Sequence, residues 1–396
     1  MFALRVPVDW RWLSAGVLQL FVVSLVAAPL LCGVARGMDH VTFRHDDEQT
    51  TVTGKILIEA QDGGLLLLAR DGTQWVVEPD KFISKRSDAE PLAPFSADEL
   101  AEHLLEELPE GFQTHSTRHY LICFNTSRAY AAWCGALFER LYMAFTNFWQ
   151  RKGIELEDPE FPLVAVVFHS KPSYLAAVRD ELGDGAESIV GYYSLQSNRV
   201  MMYDLTGIES LRAAGARRAT AAQINRVLAR PEAEQIVATI VHEATHQIAF
   251  NSGMQTRFAD IPLWVSEGLA VYFETPDLKS AKGWRSIGAV NRTRLNRFRR
   301  YAQERPSNSL KSLIVDDARF RDPRQALAAY AEAWALNYYL IKKHPRQYVA
   351  YLKMLSEKGP MVWDEPEERL RAFQAAFGDD LGRLDADFLR NTLSLR

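Results

Sequence analysis

Runs and alternations of apolar residues divide the chain into four stretches. The first 35 residues carry one apolar run, Trp12 to Leu31, interrupted only by Ser14, Gln19 and Ser24 and preceded by Arg5 and Arg11. Gly33-Val34-Ala35 puts small residues where an export signal is cleaved, here after Ala35. The run exceeds the roughly 7–15 residues usual in such a signal, so an uncleaved membrane anchor is the competing expectation. Lipid attachment at Cys32 is disfavoured by the bulky Leu31 before it. In residues 38–86 the pattern changes to short strand-like runs, Val52 to Ile58, Leu65 to Leu68 and Trp75 to Val77. Asp62-Gly63-Gly64 and Asp71-Gly72-Thr73 lie between them, and Asp-Gly between apolar runs is a hairpin signal. A small antiparallel β-module, curled as a meander, is predicted, serving as a spacer or interaction module.

Residues 87–115 read as a linker and a helix. Lys85 to Pro94 is charged and contains Pro91 and Pro94, which predicts irregular chain. Ser96 and Glu99 have capping-box spacing, opening a helix to about Leu108. From 116 to 396 the pattern is mixed. Strands are predicted at His119–Phe124, Leu163–Phe168, Ile189–Tyr193 and Arg199–Tyr203, and helices at Ala129–Arg151 and Ser173–Leu182. After Gly207 nearly everything reads as helix. There is no internal repeat.

Composition narrows the function. A chain that is 47% hydrophobic and 24% charged buries a large core. Lys plus Arg is 46 against 50 Asp plus Glu, a net charge of −4, which argues against a nucleic-acid partner. Beyond the signal two cysteines remain, Cys123 and Cys134. Export would allow a bridge between them, but Cys123 falls in a strand-like apolar run, so buried free thiols are preferred. The basic stretch Arg285 to Arg305 is read as a solvated helix face, with Asn291 as its cap.

One motif carries chemistry. His242-Glu243-Ala244-Thr245-His246 lies in Ala233 to Phe250, a stretch without Pro or Gly. Pro231 sits just inside the helix start, and Asn251-Ser252-Gly253 ends it. Two histidines four apart project from one helix face and can share a metal ion. Glu243, beside them, can take the proton of a water that the metal acidifies. A catalytic zinc takes three protein ligands and leaves one position open. Pro262 to Glu274 reads as a second helix that aims Glu267 at the same ion, with Gly268 allowing the two helices to approach closely. Glu274, two turns on, either orients a ligand histidine or is a solvated surface carboxylate.

His242-Glu243-Ala244-Thr245-His246 followed by Leu263-Trp264-Val265-Ser266-Glu267-Gly268-Leu269-Ala270-Val271-Tyr272-Phe273-Glu274 resembles the gluzincin metallopeptidases. Their third zinc ligand is a glutamate on the next helix. The longer pattern is closer to peptidase-MA-like domains, specifically the bacterial family catalogued as domain of unknown function 1570. Gly191-Tyr192-Tyr193, Asn198-Arg199-Val200 and Tyr330-Ala331-Glu332-Ala333-Trp334-Ala335-Leu336 are softer matches. The resemblance spans roughly residues 117–390. It implies an α+β, zincin-like metallopeptidase domain over 116–396, with a mixed sheet, an active-site helix and a mostly helical C-terminal half. It further implies one Zn2+ per chain on His242, His246 and Glu267, with Glu243 as general base. Related enzymes place a tyrosine or histidine on a later helix to steady the oxyanion. That points to Tyr330, with Tyr338, Tyr339 and Tyr301 as fallbacks. In gluzincins an edge strand pairs with an extended peptide, a role expected of the strand near Asn198–Tyr203.

The function expected is an exported zinc-dependent peptidase, periplasmic, envelope-associated or secreted, acting on a peptide or protein substrate. Endopeptidase action is preferred. The alternatives are a non-catalytic zinc-containing binding protein on the same fold, or a zinc amidase acting on cell-wall crosslinks.

Overall fold

The computed structural model describes residues 37–206, 220, 222, 224, 227, 231–275 and 287–396. The apolar segment 1–35, Cys32, and Arg285 of the basic stretch lie outside the described residues. The chain forms two compact units. The described residues up to Leu100, with Gln196–Asn198, make one, and the described residues of Ala101–Leu195 and Arg199–Arg396 make the other.

The first unit is a five-stranded antiparallel sheet: β1 (Asp39–His45), β2 (Glu48–Glu59), β3 (Leu65–Ala69), β4 (Gln74–Val77) and β5 (Phe82–Ser87). The order is β4-β3-β2-β1-β5, so the last strand returns to the free side of the first. Asp46 and Asp47 both take positive φ, 48° and 63°, as a two-residue turn between right-twisted strands requires. Alternate residues Val41, Phe43, Leu65 and Leu67, with Val77, make the small core. The expected linker begins later than its composition implied. Lys85, Arg86 and Ser87 finish β5, paired with Val41, His40 and Asp39. An exposed edge strand tolerates charge, and charge protects it from adding further strands.

The helix α1 (Ala97–Glu107) opens on the Ser96–Glu99 capping box, both of whose hydrogen bonds form. The second sheet contains β6 (Gln113–Ser116), β7 (Tyr120–Phe124), β8 (Leu163–Phe168), β9 (Gly191–Tyr193) and β10 (Arg199–Tyr203). Its order is β6-β7-β8-β10-β9. β7, β8 and β10 run parallel, and β6 and β9 add antiparallel edges. Every residue of β7 and β8 is buried, which is why these strands read as unbroken apolar runs. The strand at Arg199–Tyr203, expected at the edge, is interior, and β9 is the edge. The polar β6 carries no apolar signal.

Helix α2 (Arg128–Gln150) crosses from β7 to β8, and α3 (Lys171–Leu182) follows β8. Then come α4 (Pro231–Asn251), α5 (Leu263–Phe273), α6 (Arg292–Tyr301), α7 (Ser309–Val315), α8 (Ala318–Arg321), α9 (Ala326–Lys343), α10 (Pro345–Ser356), α11 (Pro366–Phe377) and α12 (Leu381–Leu393). The described chain is thus α+β, with an antiparallel sheet, a mixed sheet and a helical C-terminal half. α4 packs on β9, β10 and α2, and the Gln247 side chain ties it to β8 by donating to the Val164 carbonyl at 2.9 Å. α5 is buried on all sides from Trp264 to Phe273. Gly268 does bring two helices together, but its neighbour is α9 rather than α4. A Cβ there would stand 2.1 Å from Asn337 Nδ2 and 2.6 Å from the Ala333 carbonyl oxygen.

Among the described residues no helix is long and apolar enough to cross a membrane. Cys123 and Cys134 are buried free thiols.

Candidate metal centre

α4 buries Val237, Ile240, Val241, Ala244 and Ile248. Yet the same segment buries His242, Glu243, Thr245, His246 and Gln247. Polar groups taken out of water cost free energy unless each is matched, so the partners of these side chains are informative. His242 and His246 lie one turn apart, with ring centroids 4.7 Å apart. Their Nε2 atoms are separated by 3.1 Å. Glu267, from α5, brings Oε2 to 3.1 Å from His242 Nε2 and 3.6 Å from His246 Nε2. Each of the three residues is buried.

The far side of each imidazole sets its tautomer. His242 Nδ1 lies 2.8 Å from Glu274 Oε1. An ionised carboxylate only accepts, so Nδ1 carries the proton and donates. Ser266 Oγ lies 3.3 Å from His246 Nδ1 and 3.4 Å from Gln255 Oε1. With its single proton directed to Gln255, the hydroxyl accepts from His246 Nδ1–H. Both Nε2 lone pairs then face Glu267 Oε2. Three electron-rich atoms this close need positive charge among them. A proton there accounts for the state of His242: burial pushes its pKa down, but hydrogen bonds to Glu267 and Glu274 outweigh this and hold it up at about 10. A cation does the same for all three atoms at once. Donors about 2.0–2.1 Å from a four-coordinate cation stand about 3.3 Å from one another, which the observed triangle matches. The residues fit a divalent metal with one position left open.

The carboxylates differ. Burial raises Glu267, but His246 and His242 beside it win and hold it below the usual range. Burial also raises Glu274, and there Arg294 and His242 win. In Glu243 burial prevails over the two histidines and its carboxyl is raised. Glu243 does not join the triangle. Its Oε2 accepts the Tyr193 backbone N–H at 2.9 Å, from the edge strand β9.

Glu274 is buried, so it is not a solvated surface carboxylate. Arg294 Nη2 donates to it at 3.1 and 3.3 Å, and Asn291 Nδ2 lies 3.4 Å away. The basic stretch is therefore no uniform solvated face. Arg294 and Arg305 side chains are only 12% and 4% exposed, while Arg292 and Arg300 are exposed. Tyr330, on α9, packs edge-on against Phe320 at 5.2 Å, with the Arg294 guanidinium 5.7 Å from its ring centre. Burial, then the charge of Glu267, pushes its hydroxyl well up, so it stays a donor. The fallback tyrosines are engaged elsewhere. Tyr338 packs on Trp334 and Tyr272, Tyr339 pairs with His344, and Tyr301 pairs with Ser309 and Arg319. Ser266, Arg294 and the Tyr193 amide were missed from sequence. Ser266 adjoins Glu267 and could have been suspected, whereas nothing in the sequence distinguishes Arg294 from its basic neighbours.

Fold and site together define an α+β protein with a buried cluster of two histidines and a glutamate that could bind a metal. The family described as "Protein of unknown function (DUF1570)" matches residues 236–362. That segment holds the cluster, Glu243, Glu274, Arg294 and Tyr330. No curated protein matches the chain.

Proposed function

We propose that this chain is an exported zinc-dependent peptidase with a zincin-like domain over residues 116–396. The observation that carries the reading is the triangle of His242 Nε2, His246 Nε2 and Glu267 Oε2, with the uncoordinated Glu243 carboxylate held beside it. A structural metal site would close its fourth position with protein and need no adjoining base. His242, His246 and Glu267 would hold a zinc ion, which would supply a Lewis acid to polarise a carbonyl and acidify water. Glu243 takes the proton from the attacking water and returns it to the leaving amine. The Tyr193 amide fixes one carboxylate oxygen and leaves the other for water. Tyr330 donates to the oxyanion that develops on the substrate carbonyl. The edge strand β9, which carries the Tyr193 amide, guides an extended peptide past the cluster by strand addition. Export rests on the Arg-flanked apolar segment before Ala35, and the 38–86 module is a spacer or contact surface.

The test is metal content by mass spectrometry on the full-length chain beside His246→Ala. About one zinc per chain, lost in the variant, is expected. Peptide and muropeptide panels with Glu243→Gln as the blank then read activity. That variant keeps zinc and loses at least about 10²-fold in rate. Zinc without Glu243-dependent turnover favours the binding-protein reading, turnover of muropeptides alone favours the amidase, and absence of zinc overturns all three.

A further inference from the structure

We infer that Arg294 is a positioning residue for the metal centre, acting through Glu274 to hold His242 in its ligating tautomer. The inference rests on the cluster binding a cation, as proposed above. Glu274 follows the last residue of α5. A helix C-terminus carries partial negative charge, which disfavours a carboxylate there. The side chain is also only 4% exposed. Arg294 is equally misplaced on helix grounds. It lies in the first turn of α6, where the dipole disfavours a cation. Each charge sits where its own helix opposes it, and the two meet across 3.1 and 3.3 Å. Asn291 links the same points: its Oδ1 caps α6 by accepting from the Arg294 N–H at 3.0 Å, and its Nδ2 faces Glu274. A salt bridge that only joined α5 to α6 could lie anywhere along their surfaces. This one ends on His242, because the Oε1 that Arg294 contacts is also the acceptor of Nδ1–H at 2.8 Å. Neutralising Arg294 leaves Glu274 buried without its cation. The carboxylate then loses the donor that fixes its position and can swing away from His242, which removes the acceptor that keeps Nδ1 protonated and Nε2 open.

Carboxylates that orient a ligand histidine typically change metal affinity by about 10–100-fold. The experiment is competition for Zn2+ against a chromophoric chelator, using full-length chain, Arg294→Gln, Glu274→Gln and the double variant. The visible absorption of the Co2+-loaded proteins is recorded alongside. Each single variant should raise the zinc Kd about 10-fold or more, and the double variant should be no weaker than the weaker single. Such non-additivity is the mark of one shared path. Arg294→Lys, which restores charge without the fork, should recover part of the loss. A folded Arg294→Gln protein within twofold of wild type, or fully additive losses, would overturn the inference. If Arg294→Gln does not fold, Arg294→Lys decides: unchanged affinity and an unchanged Co2+ band overturn it, and weaker binding with a shifted band supports it. A wild-type chain that takes up no metal removes the centre itself, and is distinguished by failing before any substitution is compared.

Discussion

At the scale of single residues, identity alone says little and partners decide. The chain has nine histidines, but only His242 and His246 share Glu267. Four tyrosines were candidates for an oxyanion donor, and packing engages three of them away from the cluster. On the proposed reaction, Tyr330→Phe should lower kcat by about 10²–10³-fold while leaving bound zinc unchanged, read from steady-state kinetics beside metal analysis. The cysteines are a second case. Burial pushes the Cys123 thiol up to about 12, and burial likewise raises Cys134. The thiolate is the reactive form, so a thiol reagent at pH 8 should leave both unlabelled in the native protein and label both after unfolding, as peptide mapping would show.

At the scale of elements, helix and strand periods were legible because the core is large and apolar. Leu163–Phe168 and the long helices follow directly from it. Relations between elements were not. Nothing in the sequence places β9 outside β10, because both are short and both are partly apolar. The Gly268 contact is another such relation. Gly268→Ala would force α5 away from α9, against the Asn337 amide that donates to the Trp264 carbonyl at 2.7 Å. Overpacking of this kind costs about 1–3 kcal/mol, read as a lower denaturation midpoint. Zinc affinity should fall with it, because Glu267 is the adjoining residue on the displaced helix.

At the scale of the folded unit, buried charge joins distant segments. Glu332 is fully buried between Arg305 at 2.7 Å and Arg319 at 2.8 Å, and Arg305 also grips Asp385 on α12. Glu332→Gln leaves buried Arg319 without its carboxylate and Arg305 with Asp385 alone, and should cost about 3–5 kcal/mol, measured by urea unfolding. Acid should act at a second join. Burial raises the Glu139 carboxyl on α2, but bonds from the His119 side chain and amide and from Thr117 outweigh it and leave it low. A carboxyl lowered by folding adds stability above its unfolded pKa, about 4.3, and loses it as pH falls through the folded value. The stability gap between wild type and Glu139→Gln should therefore be full near pH 6 and close below about pH 4.

The sequence by itself determined which segments are strand and helix over most of the chain, because burial imposes its period on the residues that meet it. It also determined that two histidines share a helix face, because four residues are about one turn. The tertiary structure alone decided that Glu274 is buried, that Arg294 rather than any neighbouring arginine holds it, that Ser266 faces His246, and that a backbone amide of β9 grips Glu243. These are contacts between residues 11 to 50 positions apart, or to a main-chain group. A main-chain amide has no residue identity to read, and an arginine pattern does not say which member turns inward. Only packing fixes those choices.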